Sequence, residues 1–351
     1  MEPIFQNNKI DRTIWAEGRE CLYFSGTSYL GMSASDAFAS YVNIGMQQFG
    51  LSHGLSRINN VRLKIYQDFE LFFAKNAGAE NALVFSSGFL AGHAATSFLE
   101  NEVDAIFIAP DTHPAVLPNS YKKHIYPNAK SWIHACQEFD KNNFGKKLLI
   151  LANAVDALKP EIHDFSWIEA LSGRNEYMLL IDDSHAFGTT GIDIFGTYSK
   201  WKKLPVELLI SGSLGKGLGI PAGIVLGSEK IIEKLSQQAI FRGASPPPPA
   251  YLWAFLNAQT LYQNQHKKLK HNISFFKSIA SGLNLQTCDH DFPVFRLFVE
   301  DITQRLLNND IVISSFPYPS PSDPAVHRLV ISAWHEEKDL LDLKAALEAA
   351  V

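Results

Sequence analysis

Ser213-Leu-Gly-Lys-Gly-Leu-Gly219 lies between two apolar runs, residues 207–210 and 222–226, and follows Ile181-Asp-Asp-Ser-His185. An amine that must form a Schiff base has to be partly deprotonated, so it belongs in a tight, partly desolvated turn rather than on a solvated helix face. The glycines beside Lys216 let the backbone approach a bound group closely. A carboxylate at the C-terminal end of a strand, here Asp182, can hold a ring nitrogen protonated and turn an aromatic cofactor into an electron sink. Taken singly, Lys216 reads as a surface turn and Asp182 as a helix cap or loop acid. In this order and together they read as a cofactor site.

Outward from that turn, short apolar runs alternate with helix-length amphipathic segments from about residue 65 to residue 240. The candidate strands are 82–85, 105–109, 124–126, 148–152, 178–182, 206–211 and 223–227. The segments between them are long enough for crossover helices, so the expected fold class is α/β. Its mostly parallel sheet of about seven strands is covered on both faces. Ligands bind such sheets outside the carboxyl ends of the strands. Polar clusters at 86–89, 111–113, 153–156, 182–185 and 213–216 all fall just after candidate strands and converge on one rim.

After Gly243 the pattern changes. The proline run 246–249 resists continuing a helix, but its last residue can open one at Ala250 that runs to about Phe276. Strands at 294–299, 311–315 and 329–333, with helices at 303–308 and 336–349, predict a smaller C-terminal α/β domain. The expected division is an N-terminal arm over 1–40, a large cofactor-binding domain over 41–242 and a small domain over 243–351.

A chain of 351 residues exceeds most single cores, which agrees with two domains. With 46% apolar and 19% charged residues it has the balance of a compact protein rather than a disordered one. A net charge of −5 gives no electrostatic case for nucleic acid or anionic membrane as a partner. Cys21, Cys136 and Cys288 show neither C-x-x-C nor Cys/His spacing, so neither a metal site nor a disulfide framework is expected. The N-terminus lacks a basic start and apolar core, and no apolar stretch approaches spanning length. Cytoplasm is the expected location.

Four segments resemble motifs of the α-oxoamine synthases, a family of fold-type-I pyridoxal phosphate (PLP) enzymes. They are Ser28-Tyr-Leu-Gly-Met32, Phe85-Ser-Ser-Gly-Phe-Leu-Ala-Gly92, Asp182-Asp-Ser-His-Ala-Phe-Gly188 and Ser213-Leu-Gly-Lys-Gly-Leu-Gly219. The resemblance covers nearly the whole chain. It implies that Lys216 is the Schiff-base lysine and α-proton shuttle, that Asp182 pairs with the pyridine nitrogen and that His185 lies near the phenolate oxygen. His113 would stack on the ring face, its alternative being to cap the following helix. The Gly88 and Phe89 N–H groups, beside Ser87 and with the Ser213 hydroxyl, would bind the phosphate. Arg328 would clamp a substrate carboxylate, its alternative being an ion pair with acidic neighbours. His53 and Arg57 read as structural.

Two departures from the family stand out. Thr27 replaces an asparagine that helps hold the amino-acid carboxylate, and Asp156 replaces a serine near the phenolate oxygen. A carboxylate there would repel the phenolate or stay protonated. The resemblance implies a homodimer, and a reaction that condenses a small amino acid with an acyl thioester, of CoA or a carrier protein, with loss of carbon dioxide. It is closest to the biotin-pathway member, which favours L-alanine. An aminotransferase or amino-acid lyase on the same fold is the alternative, and a non-catalytic partner subunit a minor one.

Overall fold

The computed structural model describes residues 3–122, 125–288, 291–318 and 322–350. In chain order its strands are β1 (Thr13–Ala16), β2 (Arg19–Phe24), β3 (Asn81–Phe85), β4 (Ala105–Ile108), β5 (Lys147–Asn153), β6 (Val155–Asp156) and β7 (Glu161–Ile162). They continue as β8 (Glu176–Asp182), β9 (Glu207–Ser213), β10 (Gly223–Gly227), β11 (Val294–Leu297), β12 (Ile311–Pro317) and β13 (Ala325–Val330). β6 and β7 form a short hairpin of their own.

The central sheet has the order β3-β10-β9-β8-β5-β4. β4, β5, β8 and β9 pair in parallel, and β10 runs against both of its neighbours. Strands buried on both faces read as continuous apolar runs, as the Leu148–Ala152 stretch does, because each successive side chain needs its own core. Leu148, Ile150, Leu179, Ile181, Leu208 and Ile210 enter one core, and Leu149, Leu151, Leu180, Leu209 and Val225 enter the other. Each such side chain contributes about 1.5–3 kcal/mol on burial. Helix Gly88–Leu99 covers the second face through Ala91, Ala94, Ala95 and Leu99.

The sheet has six strands, one fewer than the sequence suggests. Of the expected 124–126 strand, His124 lies outside the described residues, and Ile125 and Tyr126 are in no strand. Ile125 is exposed and Pro127 has no N–H to give a ladder.

A second sheet has the order β1-β2-β12-β13-β11. Its first two strands were not foreseen. They come from the segment expected as an N-terminal arm, where a turn through Glu17 and Gly18, both at positive φ, reverses the chain into a hairpin. β2 then pairs in parallel with β12. The last strand spans Ala325–Val330 rather than 329–333, because Ile331 and Ala333 leave the ladder to bond the carbonyls of Pro293 and Tyr29. Arg328 is therefore inside the strand. The helix expected from Ala250 to Phe276 is two, Pro249–Asn257 and Gln259–Ile279, broken at Ala258.

Helix Asp36–Phe49 crosses helix Pro249–Asn257 so closely that a Cβ on Gly45 would come within 2.7 Å of the Ala250 carbonyl oxygen and 2.9 Å of its Cα. Both are backbone atoms and neither can rotate away. Gly45→Ala is expected to lower stability by about 1–3 kcal/mol in denaturant unfolding. Gly282→Ala, at a site with no atom near the added Cβ, is expected to stay within about 0.5 kcal/mol of the parent protein.

Candidate active site

Register brings the first polar groups together. Asn153 ends β5, Asp182 ends β8, and pairing sets Asn153 beside Asp182 and Asp182 beside Ser211. One rung at the carboxyl edge of the sheet thus carries an amide, a carboxylate and a hydroxyl. Asp182 is buried; its Oδ1 accepts from Ser184 N at 2.8 Å, and its Oδ2 lies 3.9 Å from His113 Nδ1.

Lys216 sits on the β9–β10 connection, where a Cβ on Gly217 would collide with the Phe187 carbonyl oxygen at 2.3 Å. Only a glycine lets the turn pack so tightly. The Lys216 Nζ lies 2.9 Å from His185 Nε2. Burial lowers the Lys216 pKa; Asp182 opposes the fall and Arg328 adds to it. Burial also pushes His185 well below the ordinary histidine value, with Lys216, Arg328 and His113 adding to the shift. Burial thus shifts both nitrogen bases toward their neutral forms.

His113 caps the short helix Pro114–Val116, its Nδ1 accepting from Ala115 N at 3.1 Å, so this alternative of the sequence reading holds. Burial lowers its pKa, with Asp182 opposing and Lys216 adding. With Nδ1 engaged as an acceptor, the neutral ring keeps its proton on Nε2. Its backbone N–H donates to Asn153 Oδ1 at 3.0 Å.

Arg328 is only 7% exposed. Its Nη1 donates to the Ala157 carbonyl at 3.0 Å, its guanidinium lies 5.1 Å from the Phe316 ring centroid, and its Nε is buried with no hydrogen-bond partner among the described residues. The ion pair with acidic neighbours weighed from the sequence does not form among the described residues. Burial lowers the Arg328 pKa, opposed by Tyr29 and Asp156, yet a guanidinium stays charged.

Thr27, His113, Asp156, Asp182, His185, Lys216 and Arg328 line one cavity of about 250 Å³, together with Asp111, Asn153, Phe316 and Tyr318. A larger cavity of about 450 Å³ lies at the amino ends of β5, β8 and β9, around Lys147, Glu176 and Glu207, away from these groups. Ser87, Gly88, Phe89 and Ser213 do not line the site cavity. They form a separate cradle where helix Gly88–Leu99 begins. The Ser87 Oγ accepts from Leu90 N, and a Cβ on Gly88 would fall 2.4 Å from that of Ser213. The N–H groups of Gly88 and Phe89, in the first turn, have no helical acceptor.

Asp156 accepts from Leu158 N and Lys159 N at 2.7 and 3.1 Å. Burial raises its pKa despite those bonds. Across the cavity edge Asp111 Oδ2 lies 2.7 Å from His163 Nε2. Sequence reading missed His163 as well as Tyr29, Phe316 and Tyr318. Tyr29 stands inside the quoted Tyr-Leu-Gly segment, but nothing in the sequence marks His163. Arg57, read as structural, makes a buried two-pronged pair with Glu70 at 3.0 and 2.9 Å.

A mostly parallel sheet with a lysine and an aspartate facing one cavity at its carboxyl edge defines a fold-type-I PLP-dependent transferase. A model of the aminotransferase class I and II family matches residues 61–347, and the chain belongs to that family. Among curated proteins it is 25% identical over 350 residues to the 8-amino-7-oxononanoate synthase of Hahella chejuensis, covering 95% of this chain and 88% of that protein. It is 26% identical over 359 residues to that of Dechloromonas aromatica, covering 96% and 92%. Among solved structures, the Sphingomonas wittichii serine palmitoyltransferase aligns with a TM-score of 0.82 at 18% identity, covering 99% of this chain and 91% of that one. The 8-amino-7-oxononanoate synthase of Francisella tularensis aligns with a TM-score of 0.68 at 22% identity, covering 94% and 97%.

The cofactor is pyridoxal phosphate, and the residues present fit it. A helix start with open N–H groups and no room for a side chain suits a phosphate, and a half-buried lysine and a buried aspartate line the same cavity. Among the described residues no cluster of histidine, cysteine or acidic side chains is arranged to hold a metal ion, and no helix is long and apolar enough to cross a membrane.

The Asp111–His163 pair gives the site a pH dependence. Burial pulls His163 down, but its hydrogen bond and charge contact with Asp111, with Glu161 and Asp156 adding, leave its pKa raised. Burial pushes Asp111 up, but His163 and backbone and Asn153 hydrogen bonds leave it lowered. The His163 contribution is complete below its unfolded value of about 6.5 and fades as pH rises through the raised folded value. The Asp111 contribution is complete above its unfolded value of about 3.9 and fades as pH falls through the lowered one. Thermal unfolding of His163→Gln is therefore expected to trail the parent protein most between about pH 4 and 6.5, with the gap narrowing at higher pH. A gap that does not change with pH would refute the pairing.

Proposed function

We propose that the chain is an acyltransferase of the α-oxoamine synthase kind, which condenses a small amino acid, L-alanine favoured, with an acyl thioester and releases carbon dioxide. The 8-amino-7-oxononanoate synthases among its relatives and the motifs around Lys216 and Asp182 support this reading. On the same grounds we propose a role in biotin synthesis and a homodimer. One observation carries it above all: Lys216, His185, Asp182 and Arg328 line a single small cavity.

Bound there, PLP supplies an electron-poor ring that stores the electrons of a bond broken at the substrate α-carbon. Asp182 would hold the ring nitrogen protonated through its Oδ2, and His113 would lie against the ring face. Gly88 and Phe89 N–H groups, with the Ser213 hydroxyl, would bind the phosphate. Lys216 would attach the cofactor and carry the α-proton, a task for which a lowered pKa suits it. Arg328 would hold the substrate carboxylate and fix which bond stands perpendicular to the ring, beside Thr27.

Asp156 favours a second reading, an aminotransferase or lyase. A carboxyl with a raised pKa stands where the synthases carry a serine, and it changes the proton balance beside the phenolate position.

The test is the visible spectrum of the PLP-loaded protein before and after L-alanine, then an acyl-CoA, with product analysis. A visible band lost in Lys216→Ala, with a ketone and carbon dioxide formed from alanine and acyl-CoA, is the expected result. Conversion to the pyridoxamine form with release of a keto acid would move the assignment to an aminotransferase, and no Lys216-dependent band would sink both. Arg328→Ala is expected to raise KM for the amino acid by about 10-fold or more, since a charged bond worth about 1.5–3 kcal/mol is lost.

A further inference from the structure

Tyr29 makes one side-chain hydrogen bond among the described residues, and it aims at the site. Its hydroxyl lies 2.7 Å from His185 Nδ1, while the other ring nitrogen, Nε2, lies 2.9 Å from Lys216 Nζ. Tyr29 is wholly buried, meets Phe292 edge-on, and accepts from Ala333 N through its backbone carbonyl.

Proton counting sets the direction of this chain. A phenol has one proton to give. If His185 carried its proton on Nδ1, Tyr29 would receive it, and the tyrosine's own proton would be buried with no acceptor among the described residues. If Tyr29 donates instead, Nδ1 is the acceptor and the neutral imidazole carries its proton on Nε2. That N–H then points at Lys216, which accepts it as a neutral amine. Burial acts in the same sense on all three groups. It raises the tyrosine, lowers His185 well below its usual value and lowers Lys216, so each shift favours the uncharged form.

We propose that Tyr29 is a positioning residue whose hydroxyl locks His185 in the Nε2–H tautomer, so that the imidazole turns its donor to Lys216 and the amine meets it with its lone pair. The tautomer stands on the hydrogen bonds alone. Its link to catalysis rests on the function proposed for Lys216, which needs that lone pair.

The experiment is nitrogen NMR of the full chain labelled at histidine, with and without added PLP, with His185→Gln to assign the signal. The expected spectrum has Nδ1 in the unprotonated range and Nε2 in the protonated range. Tyr29→Phe keeps the ring and removes only the hydroxyl. It should shift both nitrogens toward the averaged values of mixed tautomers, and shift the pH midpoint of the bound-cofactor band, with little change in the unfolding temperature. A proton on Nδ1 in the parent protein, an imidazolium, or an unchanged tautomer in Tyr29→Phe would overturn the inference. The parent spectrum decides if the variant does not fold. The expected tautomer in a protein with no Lys216-dependent band would support this inference and sink the proposed function, so the two failures are separable.

Discussion

The structure depends on one rung of parallel β-pairing, Asn153 beside Asp182 beside Ser211, at the carboxyl edge of the central sheet. The strands behind it are buried on both faces, so their register is fixed by two cores at once. A slip of one residue would send every leucine and isoleucine to the wrong side. The polar ends cannot move independently of that packing. The connections leaving those strands carry His185 and Lys216, and Asn153 in turn holds the backbone of His113.

The second sheet completes what the first begins. Phe316 and Arg328 come from β12 and β13, and Thr27 and Tyr29 from the segment that follows β2. Tyr29 and Arg328 reach toward His185 from that side, so the cavity exists only where the two sheets meet. The Arg328 bond to the Ala157 carbonyl spans the same junction. The hairpin β1–β2 therefore does more than extend the chain: by pairing with β12 it anchors the segment that delivers Tyr29.

Electrostatically the site is a balance of buried bases against few acids. Burial holds Lys216 and His185 toward neutrality. Asp111 and His163 are hydrogen-bonded at the cavity edge and each is shifted toward its charged form, and Asp156 is pushed toward its neutral form. Buried charges left unpaired are costly, and among the described residues Arg328 has a backbone carbonyl and an aromatic ring as partners rather than a carboxylate.

The apolar runs, the glycine-flanked Lys216 and the aspartate ending its strand were legible because they are local: periodicity, turn chemistry and spacing lie along the chain. They predicted an α/β fold with Lys216 and Asp182 at one rim, and the family resemblance added His113, His185 and Arg328, which line the same cavity. The six-strand count, the position of Arg328 within its strand and the N-terminal hairpin were not legible, since short strands are decided by what they pair with. His163 gave no signal at all, and Tyr29 gave only a motif without a role. Their partners, Asp111 and His185, are 52 and 156 positions away along the chain. The sequence by itself determined which chemistry the chain carries. Only the tertiary structure decided which nitrogen holds a proton and which charge stands alone, because burial and hydrogen-bond partners set those states and both are properties of the packed whole.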